Sequence, residues 1–140
     1  MPPENLTIAD IRSCLANKKC SAFELTERYL DAIRAGDEEI GAYLSVDERG
    51  ALEQAKDVDV AIAKGDTLPP LAGVPLAIKD NILIEGGPAT AGSKILAEYR
   101  APYDATVIQK LRRAHAVFLG KTNLDEFAMG SSTENSAYKK

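Results

Sequence analysis

The chain has 140 residues, 45% of them hydrophobic, and its 17 Lys and Arg residues against 21 Asp and Glu residues give a net charge of −4. This length suffices for one domain that buries about 68–70% of its unfolded surface. The acidic balance argues against a broad nucleic-acid surface, which usually needs a basic face. No apolar run approaches the length of a membrane span and the first residues lack a signal-peptide pattern, so we expect a soluble, intracellular protein.

Two helix-start signatures open the chain. Thr7 with Asp10, and Ser21 with Glu24, have the spacing of capping boxes. Apolar residues follow each pair at helical spacing. The pattern predicts a helical hairpin whose second helix ends at Gly36.

The remaining elements alternate between strands and helices. Strand-like runs occupy 42–46, 76–84 and 116–119, with a third helix capped by Asp47 and a fourth capped by Asp104. A strand, helix and strand in this order predict that the last two strands are parallel and adjacent. The expected fold class is therefore α/β: an N-terminal helical hairpin, then part of a mixed, largely parallel sheet flanked by helices.

The segment LAGVPLAIKDNILI contains Lys79 near the end of a strand. Alternation along a strand directs Leu76, Ile78 and Asp80 to one face and Ala77, Lys79 and Asn81 to the other. In one interpretation the Lys79 ammonium reaches water or pairs with Asp80 or Asp104. In the other, Lys79 lies sheltered at the strand end, is largely neutral, and takes a proton from a nucleophilic hydroxyl.

Four motifs favour the second interpretation: GVPLAIKDNI around Lys79, SKIL at 93–96, PYDATV at 102–107, and GKTNLDEFAMGSSTENSAY at 120–138. Together they resemble the amidase-signature family, in particular the glutaminase subunits of tRNA-dependent amidotransferases. The resemblance implies a Ser, cis-Ser, Lys triad in which Lys79 matches the lysine. Both serines would lie beyond Lys140, so we expect residues 1–140 to be the N-terminal portion of a single, incomplete amidase-signature domain.

The polar segment FAMGSSTENSAY has two interpretations as well. By composition it is a surface loop. By resemblance its Met-Gly-Ser-Ser part lines the substrate pocket, with Gly130 and Ser131 as the predicted substrate-binding residues. Neither Ser131 nor Ser132 matches the family's nucleophile, which stands in a Gly-Gly-Ser setting.

The resemblance also implies a reaction and its partners. The complete protein would hydrolyse glutamine through an acyl-enzyme and pass ammonia to amidotransferase subunits B and C, which amidate Glu-tRNA(Gln) in the cytoplasm or an organellar matrix. ATP and Mg²⁺ would bind at the partner subunit, and this chain would bind no cofactor. The alternatives are a stand-alone amidase and a non-catalytic fragment or half of a split protein. Without the serines, we expect the chain alone to be inactive and, with its sheet incomplete, to associate or dissolve poorly.

Other chemical signals are weak. Gly120-Lys121-Thr122 resembles the tail of a phosphate-binding loop, but His115 stands where the first glycine belongs and a β run lies between, so we exclude nucleotide binding there. His115 is the only histidine, which rules out a His-based metal site or triad within the chain. We expect Cys14 and Cys20 to be free thiols and predict no metal site.

Overall fold

The computed structural model describes residues 6–140. Its four helices are α1 (Ile8–Ala16), α2 (Ala22–Ile40), α3 (Glu48–Lys64) and α4 (Thr106–Arg113). Its three strands are β1 (Tyr43–Val46), β2 (Pro75–Lys79) and β3 (Val117–Thr122), with single 3-10 turns at Lys94–Leu96 and Glu126–Ala128. The α/β class is as predicted. Across residues 6–140, every helix is too short or too polar to cross a bilayer.

Both predicted capping boxes are formed. The Thr7 hydroxyl accepts the Asp10 N–H at 3.2 Å, and the Asp10 carboxylate accepts the Thr7 N–H at 2.9 Å. Ser21 and Glu24 make the same reciprocal pair, each at 3.0 Å. These caps satisfy backbone N–H groups that a helix start otherwise leaves without partners.

Two predictions about helix ends were wrong. Helix α2 continues through Gly36 and ends at Gly41, whose φ of +68° is the left-handed conformation of a glycine cap. A mid-helix glycine costs only about 1 kcal/mol, which is too little to stop a helix with a packed face. Asp104 does not cap α4; its carboxylate accepts the Glu85 N–H at 2.8 Å and pairs with Arg112 at 2.6 Å.

The expectation of free thiols was also wrong. Cys14 and Cys20 are joined in a disulfide across the turn between α1 and α2, with their Cα atoms 5.6 Å apart. Cys14 lies near the end of α1, and Cys20 lies in the short connection that leads to α2. A Cα separation of this size lies within the range that a disulfide spans.

The sheet has the order β1-β3-β2, with β3 in the centre. Strand β2 runs parallel to β3, as predicted, and β1 runs antiparallel to it. One core joins α1, α2 and α3 to the sheet, and a smaller one packs α4 against Ile78 and Phe118. The pairing shifts between Leu76 and Ala77, which pair with Phe118 and Gly120, so that β3 contains one extra residue, Leu119.

Candidate functional site

Lys79 is the last residue of β2, and its side chain is exposed. The predicted alternation is confirmed: Ile78 and Asp80 are buried, whereas Ala77 and Lys79 are not. The predicted shelter is wrong for residues 6–140. The buried face of β2 is the one that packs toward α4, and a period of two residues turns Lys79 to the opposite face.

The buried lysine of this region is Lys121, which is 3% exposed. Its Nζ lies 3.0 Å from Asp80 Oδ1 and donates hydrogen bonds to the carbonyl oxygens of Ile82 at 2.9 Å and Pro88 at 2.7 Å. Burial lowers the pKa of Lys121, and the adjacent Asp80 carboxylate opposes that change. Asp80 Oδ1 meets the ammonium as an ion pair and, within residues 6–140, has no hydrogen-bond partner.

The extra residue in β3 explains why Lys121 points inward. Strict alternation would separate Phe118 from Lys121, but the bulge at Leu119 resets the phase and puts both on the face of Leu76 and Ile78. The neighbouring glycine has a structural cause too: a Cβ on Gly120 would lie 2.2 Å from a backbone oxygen of β1. Gly120-Lys121-Thr122 forms the end of β3, which continues three residues beyond the predicted run 116–119.

Asp80 connects the strand end to the loop that follows. Its Oδ2 accepts the backbone N–H of Thr90 at 2.9 Å and the Thr90 hydroxyl at 2.5 Å. Its own N–H donates to the Thr122 carbonyl at 3.1 Å, and the Lys79 carbonyl accepts the Ile82 N–H at 2.9 Å. Lys79 thus pairs with Thr122 in the sheet, and the peptide unit that follows it is held through both its carbonyl and its N–H.

Backbone hydrogen bonds continue from this strand end to the 127–138 segment. The Ala91 N–H donates to the Asp80 carbonyl at 3.2 Å, and the Ala91 carbonyl accepts the Phe127 N–H at 2.8 Å. The Gly92 carbonyl accepts the Ala137 N–H at 2.9 Å. The residues around Lys79 and the predicted pocket segment are therefore joined through residues 91 and 92.

Asp125 organises the predicted pocket segment. Its carboxylate is buried and accepts the backbone N–H groups of Ser132 at 3.1 Å, Thr133 at 2.9 Å and Asn135 at 2.9 Å. The Asn135 and Thr133 donors hold the pKa of Asp125 below its usual range, against the effect of burial. Gly130 lies so close that a Cβ there would be 2.5 Å from Asp125 Cγ.

Gly130 and Ser131, the predicted substrate-binding residues, are exposed in this segment. The structure ties the segment that carries them to the loop beside Lys79. Their contact with a substrate stays a prediction. Asp80, Lys121 and Asp125 were not predicted as site residues, although a lysine within an apolar strand and an aspartate beside the candidate base could have signalled a buried ion pair.

His115 is exposed at the end of α4 with a φ of +55°. Its carbonyl accepts the Gly73 N–H at 2.9 Å, which fits a connecting position between helix and strand. Within residues 6–140, no three His, Cys, Asp or Glu side chains are grouped so that they could hold a metal ion.

Known proteins resemble this chain along most of its length. The sequence is 52% identical over 134 residues to the A subunit of a glutamyl-tRNA(Gln) amidotransferase of Salinispora tropica, covering 96% of this chain and 27% of the relative. It is 55% identical over 133 residues to the corresponding protein of Streptomyces coelicolor, covering 95% of this chain and 27% of the relative. The chain therefore spans about a quarter of the length of these relatives.

Solved structures share the fold. One of them is a chain from a vestigial protein complex that reveals the evolutionary origins of an s-triazine catabolic enzyme. It matches with a TM-score of 0.91 and 40% identity, over 95% of this chain and 29% of the other. The peptide amidase of Stenotrophomonas maltophilia matches with a TM-score of 0.84 and 34% identity, over 90% of this chain and 26% of the other. The sequence profile of the family described as Amidase matches residues 24–140. The chain accordingly belongs to the amidase-signature family.

Proposed function

We propose that this chain supplies the lysine of a glutamine-hydrolysing site in the glutaminase subunit of a tRNA-dependent amidotransferase. The observation that carries the proposal is the setting of Lys79, an exposed amine at a strand end. Its backbone pairs with β3, and hydrogen bonds through residues 91 and 92 connect it to the 127–138 segment, which contains Gly130. The relatives named as amidotransferase A subunits, at 48–55% identity, support this choice of substrate.

In this proposal Lys79 acts as the base through a cis-Ser on a nucleophilic Ser, both contributed by residues that the full-length relatives have beyond the matched segment. The serine oxygen attacks the side-chain amide carbon of glutamine, an ester C–O bond forms, the amide C–N bond breaks, and the proton leaves with the nitrogen as ammonia. Water then hydrolyses the ester. The same residues would cover Ala77 and Lys79, because a base of this kind works best when water is excluded.

The substrate amide would lie against the segment that Asp125 organises, with Gly130 and Ser131 as its contacts. Ammonia would pass to partner subunits B and C, since release into water would waste it. We place ATP, Mg²⁺ and the misacylated tRNA at the partner subunit, in the cytoplasm or an organellar matrix. The net charge of −4 on this chain supports a site for the tRNA elsewhere in the complex.

A chimera tests the role of Lys79. The matching segment of the Salinispora tropica relative is replaced by this chain, the complex is assembled with the partner subunits, and ammonia release from glutamine is measured. We expect turnover in the chimera and a loss of about 10²–10⁴-fold in Lys79→Met, the range for removal of a general base. Lys110→Met, at an exposed position on α4, is the matched control. Equal turnover in the parent chimera and in its Lys79→Met variant would refute the proposal.

The second candidate is a stand-alone amidase, which the likeness to the peptide amidase supports at 34% identity. Substrate profiling of a full-length protein that includes this chain separates the two. Glutamine hydrolysis that rises when the partner subunits are added favours the amidotransferase. Preference for a peptide or aliphatic amide, with no response to those subunits, favours the amidase.

For the isolated 140-residue chain we propose a non-catalytic role, because it contributes one member of the triad. We expect no glutamine hydrolysis above background from the purified chain. Measurable turnover that disappears in Lys79→Ala would show that a nucleophile lies within these residues.

A further inference from the structure

Lys121 and Asp80 form a buried charged cluster that the proposed reaction does not use. Lys121 is 3% exposed and Asp80 is 1% exposed. The ammonium contacts three oxygens, and the carboxylate contacts the ammonium and Thr90. The cluster thus fastens the centre of the sheet to the residues that directly follow Lys79.

Such a pair is poor evidence for a purely stabilising role. Burying two charges costs several kcal/mol per ion, and well-packed apolar residues of similar volume are often as stable. An apolar pair, which makes no hydrogen bonds, cannot hold the backbone that follows the strand in one direction. The three oxygens around the Lys121 Nζ come from residues 80, 82 and 88, which determine where the chain goes after the strand ends.

We propose that Lys121 and Asp80 are positioning residues for Lys79, a claim that rests on the proposed function of Lys79. Asp80 is covalently next to Lys79 and on the opposite face of β2. A shift of its carboxylate toward a new partner moves the Lys79 Cα as well. Displacement of a catalytic group by about 1 Å can lower a rate by about 100-fold, even from a distant substitution.

The first test uses the chimera and needs no activity. Amide hydrogen exchange is measured for the Asp80 N–H, which donates to Thr122, and the Thr90 N–H, which donates to Asp80. We expect exchange at both amides to quicken by at least about tenfold in Lys121→Met, as expected when a local unit loses its tether. Lys110→Met is the control and leaves both unchanged. Unchanged exchange in Lys121→Met would overturn the inference.

The second test uses the chimera and separates positioning from stability. We expect Lys121→Met to lower kcat for glutamine about 100-fold while KM changes by less than about threefold. The double variant Asp80→Asn with Lys121→Met removes both charges and leaves none unpaired. Its thermal midpoint is expected to return toward the parent value while its kcat stays low.

The outcomes distinguish this inference from the proposed function. If Lys79→Met is inactive but the double variant keeps a kcat within about threefold of the parent, the pair is merely structural and the inference fails. If Lys79→Met is fully active, the proposed function fails, and positioning through Lys79 fails with it. If Lys121→Met does not fold, the double variant decides.

Discussion

The helical half of the chain (residues 6–65) and its site half (residues 66–140) differ in where their polar side chains lie. In the helical half, Thr26 is the one buried polar residue among those described, and ion pairs such as Arg34 with Glu48 lie at the surface. The site half buries six polar or charged side chains: Asp80, Thr90, Ser93, Lys121, Asp125 and Ser136. The first half depends on an apolar core and local caps, and the second depends on buried polar contacts.

The reach of those contacts differs as well. The capping boxes of the helical half join residues three apart, and one longer contact, from the Ala22 N–H to Asp59 across 37 positions, adds to the start of α2. In the site half, Lys121 reaches Pro88 across 33 positions and Tyr138 reaches Ser93 across 45. Short-range contacts form wherever their few residues are in order. Long-range ones need the whole sheet in place, so the site half should be the more sensitive to single polar substitutions.

The largest effect is expected from Lys121→Met. It leaves the Asp80 carboxylate buried without its counter-charge, so the free energy of unfolding should fall by about 3–5 kcal/mol. Urea unfolding of the 140-residue chain measures it, with Lys110→Met as the exposed control. A loss equal to that of the control would mean that the buried pair contributes nothing.

A comparable loss in the helical half should come from a cavity. Leu30 is fully buried, and Leu30→Ala should cost about 2–5 kcal/mol. The same core contains Val74 and Val117 of the site half, so we expect one cooperative transition. Circular dichroism and Tyr fluorescence should give coincident midpoints, and a separate transition for each half would contradict the shared core.

Two glycine substitutions sharpen the contrast. Gly130→Ala places a Cβ 2.5 Å from Asp125 Cγ and should cost about 1–3 kcal/mol as the buried carboxylate moves. Gly36→Ala meets only Ile40 Cδ1 at 3.8 Å in the middle of α2 and should stabilise by about 0.5–1 kcal/mol. Thermal melts measure both changes. If both substitutions change the stability in the same direction, the packing described at one of the two glycines is wrong.

A smaller effect is expected at the start of α2. Ser21→Ala removes the acceptor for the Glu24 N–H and should cost about 1 kcal/mol. Ser21→Asp, which can cap in the same way, is the control and should leave the stability close to that of the parent. If the Ala and Asp variants behave alike in chemical denaturation, the cap adds nothing to the hairpin.

The subtlest prediction concerns acid. Backbone N–H groups from Asn135 and Thr133 keep the pKa of Asp125 low in the folded chain. The Asp125 carboxylate therefore contributes its full stabilisation of the fold above the unfolded pKa of about 3.9, and this stabilisation disappears as the pH falls through the folded pKa. The difference in midpoint between the parent and Asp125→Asn should therefore be larger at pH 7 than at pH 3. A difference in midpoint that is larger at pH 3 than at pH 7 would contradict the lowered pKa of Asp125.

Sequence reasoning succeeded where local rules govern. The capping boxes, the fold class, the parallel pairing of β2 with β3 and the alternation around Lys79 all follow from spacing of a few residues. It failed at Gly36 and Asp104, where tertiary packing and a distant arginine override the local signal. The direction of the Lys121 side chain was not predicted, since a one-residue bulge in β3 decides which way that side chain points.

For the candidate site, family motifs singled out Lys79 and the segment with Gly130, whose roles stay predictions. The motifs gave no indication that the Lys79 side chain is exposed within residues 6–140. The role of Asp125 depends on three N–H groups that a loop turns inward, which no periodicity encodes.

The division of work between the two lysines is the central claim, and ammonia release by the chimera tests it directly. We expect Lys79→Met to lower glutamine turnover by about 10²–10⁴-fold. The thermal midpoint should stay at the parent value, because an exposed side chain contributes little to the fold. Full turnover by Lys79→Met would contradict that division.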